Sequence, residues 1–148
     1  MAWSVGTMVM TIIHHLYGAM IYDEPFRLHA AIVAMPVIVI LLISYTSYQN
    51  VHNTRIRNAS RTIFLVVTVL FSVGAIGIYE GGYNHLLKNL LFFGGISIQT
   101  LDRMYPSIYE LPNNFLFEAT GIMQLVTAIL CAREILKPLI KWKFDIVD

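Results

Sequence analysis

Charged side chains are scarce in this chain. Asp, Glu, Lys and Arg make up 13% of its 148 residues, whereas an ordinary soluble domain carries about 25%. Apolar residues reach 57% and the mean hydropathy is +0.65. A protein whose outer surface faces lipid accounts for this balance, and the length suits one compact unit. The net charge of +1 provides no basic field, which argues against nucleic acid as a partner.

Recognisable catalytic motifs are also missing. Cys131 is the single cysteine, so no disulfide can form within the chain. The sequence contains no H-E-x-x-H, E-x-x-H or C-x-x-C metal motif, no phosphate-binding loop and no G-x-S-x-G elbow. It has no internal repeat of the kind that marks many transporters. These absences remove the common soluble enzyme classes and leave open whether the chain is an enzyme.

What the sequence does contain is apolar runs of membrane-spanning length. A span needs about 20 residues, and four stretches qualify, at about 3–22, 26–48, 62–80 and 114–137. The first has no basic residue before it, so we expect a retained span rather than a signal peptide. The fold class predicted is therefore an all-α, polytopic membrane protein, with residues 1–148 forming a single bundle domain of four transmembrane helices.

The polar and glycine-rich segments predict the connections between these spans. Gln49–Arg61 reads as a loop, and Gly81-Gly82 is expected to end or bend the third span. Residues 84–93 form a separate short helix, interfacial or re-entrant, and residues 94–113 form an irregular outer loop. Pro36 should kink the second span. Asp23 is expected to cap the second span, and Asn113-Asn114 the fourth.

Basic residues are distributed unevenly across this topology. Four spans put both termini and the Gln49–Arg61 loop on one side, which then carries seven of the ten basic residues, against three on the other side. The positive-inside rule places that side in the cytoplasm. We therefore expect a multi-pass protein of the plasma (inner) membrane with both termini cytoplasmic.

Histidines and carboxylates collect in one layer near the outer ends of the spans. Every predicted span or short helix contributes, and only His52 falls on the cytoplasmic side. Ionisable groups at membrane depth usually face the bundle interior and mark function, and imidazole with carboxylate is a ligand set for transition metals. The candidate metal ligands are His14, His15, His29, Glu80, His85 and Glu118.

Several interpretations of this layer stay open. It could hold a transition metal ion (Cu, Fe or Zn), it could form a proton or ion path, or its members could simply hydrogen-bond to one another. A b-type haem ranks below a compact ion, because His14 or His15 and His29 are joined by a tight turn. Adjacent residues point about 100° apart on an α-helix, so only one of His14 and His15 is expected to face the core.

Two functions from different classes fit these features. One is a metal-binding redox or accessory subunit of a larger membrane complex, and the other is a purely structural transmembrane subunit. Small residues such as Gly18, Gly74, Gly77 and Gly121 favour close helix packing. We expect the lipid bilayer and other transmembrane chains, or further copies of this chain, to be the partners.

The orientation can be tested with a cysteine introduced at Ser107, in the predicted outer loop, in a Cys131→Ser background. A membrane-impermeant maleimide should label this cysteine in intact cells, because the outer loop faces away from the cytoplasm. Labelling that requires permeabilised cells would reverse the predicted orientation.

Overall fold

The structure, a computed structural model, describes residues 1–105 and 110–144, with side chains as far as residue 137. The described part is all helical and contains no strand. Helix α1 spans Ala2–Tyr22, and a 3-10 turn at Pro25–Arg27 leads into α2 at Leu28–Asn50. Helix α3 runs without a break over Thr54–Phe93, α4 over Ile98–Met104 and α5 over Phe115–Phe144.

Four of the helices are long and apolar enough to cross a membrane, as the sequence predicts. They are α1, α2 with its preceding turn, α3, and α5 as far as Lys137. Ser107, the site chosen for labelling, lies outside the described residues. Helix α1 packs against α2, α3 and α5, and α3 and α5 form the most extensive pair. Helix α2 has a largely exposed apolar surface, with Ile32, Met35 and Ile43 each more than half exposed.

The predicted loop at Gln49–Arg61 is mostly helix. Only Val51–Asn53 interrupt the helices, because the Asn53 side chain accepts hydrogen bonds from the backbone N–H groups of Arg55 (3.0 Å) and Ile56 (3.3 Å). This is an N-cap that satisfies the free donors of the first turn. Helix α3 therefore starts at Thr54, eight residues before the predicted position.

The predicted break at Gly81-Gly82 is also absent, so residues 84–93 are not a separate helix. The Thr68–Leu87 part of α3 is a π-helix, flanked by α-helical turns at Thr54–Val67 and Lys88–Phe93. Its N–H groups donate to carbonyls five residues earlier, which widens the helix. We call Thr68–Leu87 the π segment. Five of its six buried positions recur every four or five residues, namely Thr68, Ser72, Gly77, Gly81 and His85, and the sixth is Asn84.

Two predicted caps have different outcomes. Asn114 caps α5 as expected, since its side chain accepts from the N–H of Phe117 at 3.0 Å. Asp23 instead ends α1, with a left-handed backbone (φ 52°) whose N–H donates to the carbonyl of Ala19.

The outer segment predicted as irregular contains helix α4, which is capped by the Ser97 side chain. Helix α2 continues through Pro36, and α5 continues past Lys137 to Phe144.

Glycines set the distance between α3 and α5. A Cβ atom at Gly77 would lie 2.1 Å from the Cβ of Ala128, and one at Gly81 would lie 2.6 Å from the backbone N of Leu125. Close backbone approach through small residues is the usual way membrane helices associate. Gly74, expected among the packing residues, meets only the carbonyl of Val69 in its own helix.

Adjacent glycines in α3 allow a matched test of this packing. Gly81→Ala should lower the unfolding free energy by about 1–3 kcal/mol, because the backbone of α5 cannot yield to the methyl group. Gly82→Ala should be neutral or slightly stabilising, since its nearest neighbour would be 3.5 Å away. Thermal unfolding in a mild detergent measures both. Equal effects of the two substitutions would show that the α3–α5 contact does not depend on Gly81.

Candidate metal centre

One carboxylate oxygen stands at the middle of a cluster of imidazoles. Glu80 Oε1, on the π segment, lies 3.9 Å from His14 Nε2, 3.7 Å from His15 Nε2 and 3.6 Å from His85 Nε2. His14 and His15 come from α1, and His85 comes from the same helix as Glu80. Glu80 Oε2 accepts a hydrogen bond of 2.7 Å from the fully buried Asn84. We call the four residues His14, His15, Glu80 and His85 the His/Glu centre.

The π segment explains why Glu80 and His85 meet. Residues five apart on an α-helix point about 140° away from each other. Hydrogen bonding to the fifth preceding residue puts more residues into each turn, so positions five apart come close to one face. The widened helix therefore gathers a carboxylate and an imidazole that an α-helix would separate.

Both histidines of the His14-His15 pair face this carboxylate. The sequence analysis expected one of them to point away, but His14 is fully buried and His15 is 8% exposed. Their rings meet edge to face, with centroids 5.1 Å apart. Both Nε2 atoms lie within 3.9 Å of Glu80 Oε1, although adjacent residues on an α-helix point about 100° apart.

The hydrogen bonds of Thr120 favour the His14 tautomer that carries its proton on Nδ1. The Thr120 hydroxyl lies 2.8 Å from the carbonyl of Leu116 and 3.0 Å from that of Phe117, and donates within its own helix. It therefore accepts from His14 Nδ1, at 3.0 Å. The lone pair of His14 then lies on Nε2, which is buried and has no hydrogen-bond partner among the described residues.

Glu118 fixes His85 in the same way. Its Oε2 lies 2.8 Å from His85 Nδ1, and an ionised carboxylate can only accept, so Nδ1 is the donor. The other ring nitrogen, Nε2, then faces Glu80 Oε1 at 3.6 Å. In metal sites, a histidine ligand commonly donates its other ring N–H to a carboxylate, which orients the ring and raises its basicity.

The neighbours of Glu118 complete this support. Asn89 donates to Glu118 Oε2 at 2.5 Å, and Lys88 Nζ lies 3.3 Å from Glu118 Oε1. Lys88 is only 2% exposed and also donates to the carbonyl of Glu110 at 2.6 Å. Lys88, one of the three basic residues predicted on the outer side, thus lies inside the protein and offsets the charge of Glu118.

Gly121 and Phe117 shape the space around the imidazoles. A Cβ atom at Gly121 would lie 2.2 Å from His85 Cγ, so the ring of His85 occupies the position of the missing side chain. The Phe117 ring stacks on His14 with centroids 4.3 Å apart. These contacts from α5 hold both rings in place.

Not every predicted ligand joins the centre. Glu118 lies behind His85 rather than beside Glu80. His29 is exposed, its Nδ1 lies 2.5 Å from the carbonyl of Phe26, and its ring centroid is 6.4 Å from that of His15. His52, which was not predicted as a ligand, lies in the turn between α2 and α3.

Three supporting residues escaped the sequence analysis: Asn84, Asn89 and Thr120. Asn84, His85, Lys88 and Asn89 place four polar side chains within six residues, a density that is unusual for an apolar helix and could have marked the segment. Thr120 carries no such signal, since isolated threonines are common in membrane helices.

The chemistry available to the centre follows from these positions. His14, Glu80 and His85 offer ligand atoms that all lie within 4.8 Å of one another, so the group could hold a metal ion. Ligands of a tetrahedral zinc site are about 3.4 Å apart, and the distances from Glu80 Oε1 exceed this by only a few tenths of an ångström. No protein-family model matches the chain, and no curated protein or solved structure shows significant similarity to it.

Removal of the Glu118 carboxylate should lower the unfolding free energy whether or not a metal ion is bound. Glu118→Ala leaves Lys88 buried without its carboxylate, and breaking a buried ion pair from one side typically costs about 3–5 kcal/mol. Glu134→Ala is the control, because its ion pair with Lys137 is about half exposed and should contribute no measurable stability. Thermal unfolding compares the two. A Glu118→Ala protein as stable as the control would mean that Lys88 does not depend on this carboxylate.

Proposed function

We propose that this chain is a multi-pass membrane protein that binds a transition metal ion in the His/Glu centre. The observation that carries the proposal is the convergence of three imidazole Nε2 atoms on one carboxylate oxygen, at 3.6–3.9 Å. The membrane is the plasma (inner) membrane, with both termini cytoplasmic and the centre near the outer face. This placement rests on the four apolar helices and the basic-residue asymmetry.

His14, Glu80 and His85 are the proposed ligands, with His15 as a fourth. Two of the imidazoles are already set up for this role, because the Nδ1 atoms of His14 and His85 are engaged by Thr120 and Glu118. Their Nε2 atoms already face Glu80, so an ion could bind there without a change of ring orientation. Preset ligand orientation lowers the entropy lost when an ion binds.

The charge balance also favours a cation. Lys88 offsets Glu118, whereas the groups around Glu80 Oε1 are imidazoles, which are neutral when they act as ligands. A divalent ion would compensate the Glu80 carboxylate at a depth where an uncompensated charge is expensive.

The donor set limits the choice of ion. Nitrogen with one carboxylate oxygen suits Fe, Cu(II) or Zn, and it lacks the soft sulfur ligands that select Cu(I). A bound ion of this kind would supply Lewis acidity and, for iron or copper, one-electron chemistry. We therefore place the protein among metal-binding redox or accessory subunits of membrane complexes.

A haem is a poorer fit to the same residues. Two axial histidines need a macrocycle between them, but the rings of His14 and His85 touch edge to face with centroids 4.6 Å apart. The rings of His15 and Phe117 lie against His14 as well. This packing leaves room for an ion and none for a porphyrin between the rings.

Association with other chains belongs to the proposal. Helix α2 exposes large apolar side chains such as Ile32, Met35 and Ile43, suited to lipid or to transmembrane partners. We propose that the protein acts as a homo-oligomer or within a larger membrane assembly. Native electrophoresis of gently solubilised membranes that finds only the monomer would contradict this.

Metal analysis of the purified protein tests the central proposal. We expect one Zn²⁺, Fe²⁺ or Cu²⁺ per chain, lost in His14→Ala, Glu80→Ala and His85→Ala. Thr120→Val should weaken binding by about tenfold to a hundredfold, the usual effect of removing a group that orients a ligand. His52→Ala, far from the centre in the turn after α2, is the matched control and should retain the ion.

The readouts are elemental analysis and titration of chelator-treated protein with each ion, together with thermal unfolding. Folded wild-type protein that takes up none of the three ions would refute the metal centre and leave a structural role for the His/Glu network. Equal metal content in His14→Ala, His85→Ala and His52→Ala would show that the ion binds elsewhere.

A further inference from the structure

A cavity opens beside the His/Glu centre, between α2 and the π segment. Its volume is about 290 Å³, and His15 and Glu80 lie at one end of it. A dry apolar cavity of about 150 Å³ accommodates benzene, so this one has room for a single ring with substituents. The cavity gives small molecules a path to the residues proposed to hold the ion.

The mouth of the cavity lies on the apolar exterior. Phe26 and Tyr79, which both line the cavity, are 45% and 52% exposed. If the helices span a membrane as proposed, a ligand enters here from the lipid. Lipid favours uncharged molecules, since a charge at membrane depth costs several kcal/mol.

The polar atoms that line the cavity favour a hydrogen-bond donor. His29 Nδ1 donates to the carbonyl of Phe26 at 2.5 Å, so His29 Nε2 is left as an acceptor. The Glu80 carboxylate at the inner end can only accept. Arg27 also lines the cavity, but its Nε and Nη2 atoms donate to Glu24 at 2.6 and 2.5 Å. A hydroxyl group satisfies acceptors of this kind.

The walls favour a flat ligand. Ala30 on α2 and Ala75 on the π segment both line the cavity and contribute only methyl groups. At the mouth, the rings of Phe26 and His29 are nearly parallel, with an interplanar angle of 16°. Small walls and parallel rings suit an aromatic ligand, because aromatic pairs prefer offset stacking or edge contacts.

We propose that this cavity binds a neutral, hydroxylated aromatic molecule of one ring, of the phenol or hydroquinone class, with one hydroxyl on His29 Nε2 and the other end toward Glu80. The inference deepens the proposed function by naming the ligand class of the same site, and its lipid entry route rests on that function. Binding itself uses His29 and the cavity walls, and does not require the ion.

Calorimetric titration of the full chain in lipid nanodiscs tests this proposal. The probe is tetramethylhydroquinone, used without oxygen, and its dimethyl ether is the matched compound that keeps the ring and lacks both hydroxyls. Chelator-treated and Zn²⁺-loaded proteins are titrated separately. We expect saturable binding of the hydroquinone and at least about fivefold weaker binding of the ether, the effect of losing one ordinary hydrogen bond.

Variants locate the binding. His29→Phe keeps a ring at the mouth and should weaken hydroquinone binding about fivefold, while His52→Phe should leave it unchanged. Ala30→Leu and Ala75→Leu each place a larger side chain in the cavity, one from α2 and one from the π segment, and should abolish binding. Because Ala75 is exposed, its substitution is compatible with the fold even if Ala30→Leu is not, and thermal unfolding verifies both.

Each outcome decides one proposal. Equal affinity for the two compounds, non-saturable uptake as in empty nanodiscs, or full binding by Ala75→Leu would overturn the ligand site. Selective hydroquinone binding by a protein that takes up no metal would support the ligand site and refute the metal centre. Metal binding without hydroquinone binding would refute the ligand site alone.

Discussion

The hydrogen-bond register of the π segment is the constraint on which the His/Glu centre depends. Bonds to the fifth preceding carbonyl put Glu80 and His85 on one face, together with the small and polar positions Ser72, Gly77 and Gly81. In an α-helix the same residues would spread around the cylinder. Long π-helices are rare, and short ones are frequent at functional sites. Here the wide register both builds the centre and presents the glycines to α5.

Close approach of α5 is the second requirement, and it follows from that face. Gly81 lets the backbone of α5 come near, and Gly121 on α5 gives His85 its place. Glu118 and Thr120 then lie where they can bind the Nδ1 atoms of His85 and His14. The ring orientations are thus set by packing between helices, and a side chain added at Gly121 would displace the His85 ring.

The sequence predicted four membrane-length helices because apolar run length is a local property. It also predicted which residues share a depth, and four of the six candidate ligands form the centre. It was wrong in two places: Gly81-Gly82 does not break α3, and both His14 and His15 face Glu80, although only one of them was expected to face the core. The Gln49–Arg61 segment was predicted as a loop because of its polar composition, whereas Asn53 caps a helix that begins at Thr54. The partners of His85 could not be predicted, since Glu118 is 33 residues away and spacing alone gives no contact.

Polar pairs between α1 and α5 determine which residues meet. Thr7 donates to Thr127, Thr11 donates to Gln124, and Tyr17 donates to Asn114, so the partners on α5 come earlier as the chain of α1 advances. This is an antiparallel ladder, and His14 with Thr120 is its rung at the centre. Apolar contact cannot specify such a register in lipid, because lipid tails compete equally for apolar surface. A shift of α1 by one turn would leave several of these buried groups without partners. The ladder therefore fixes the position of His14 along α5, and with it the geometry of the centre.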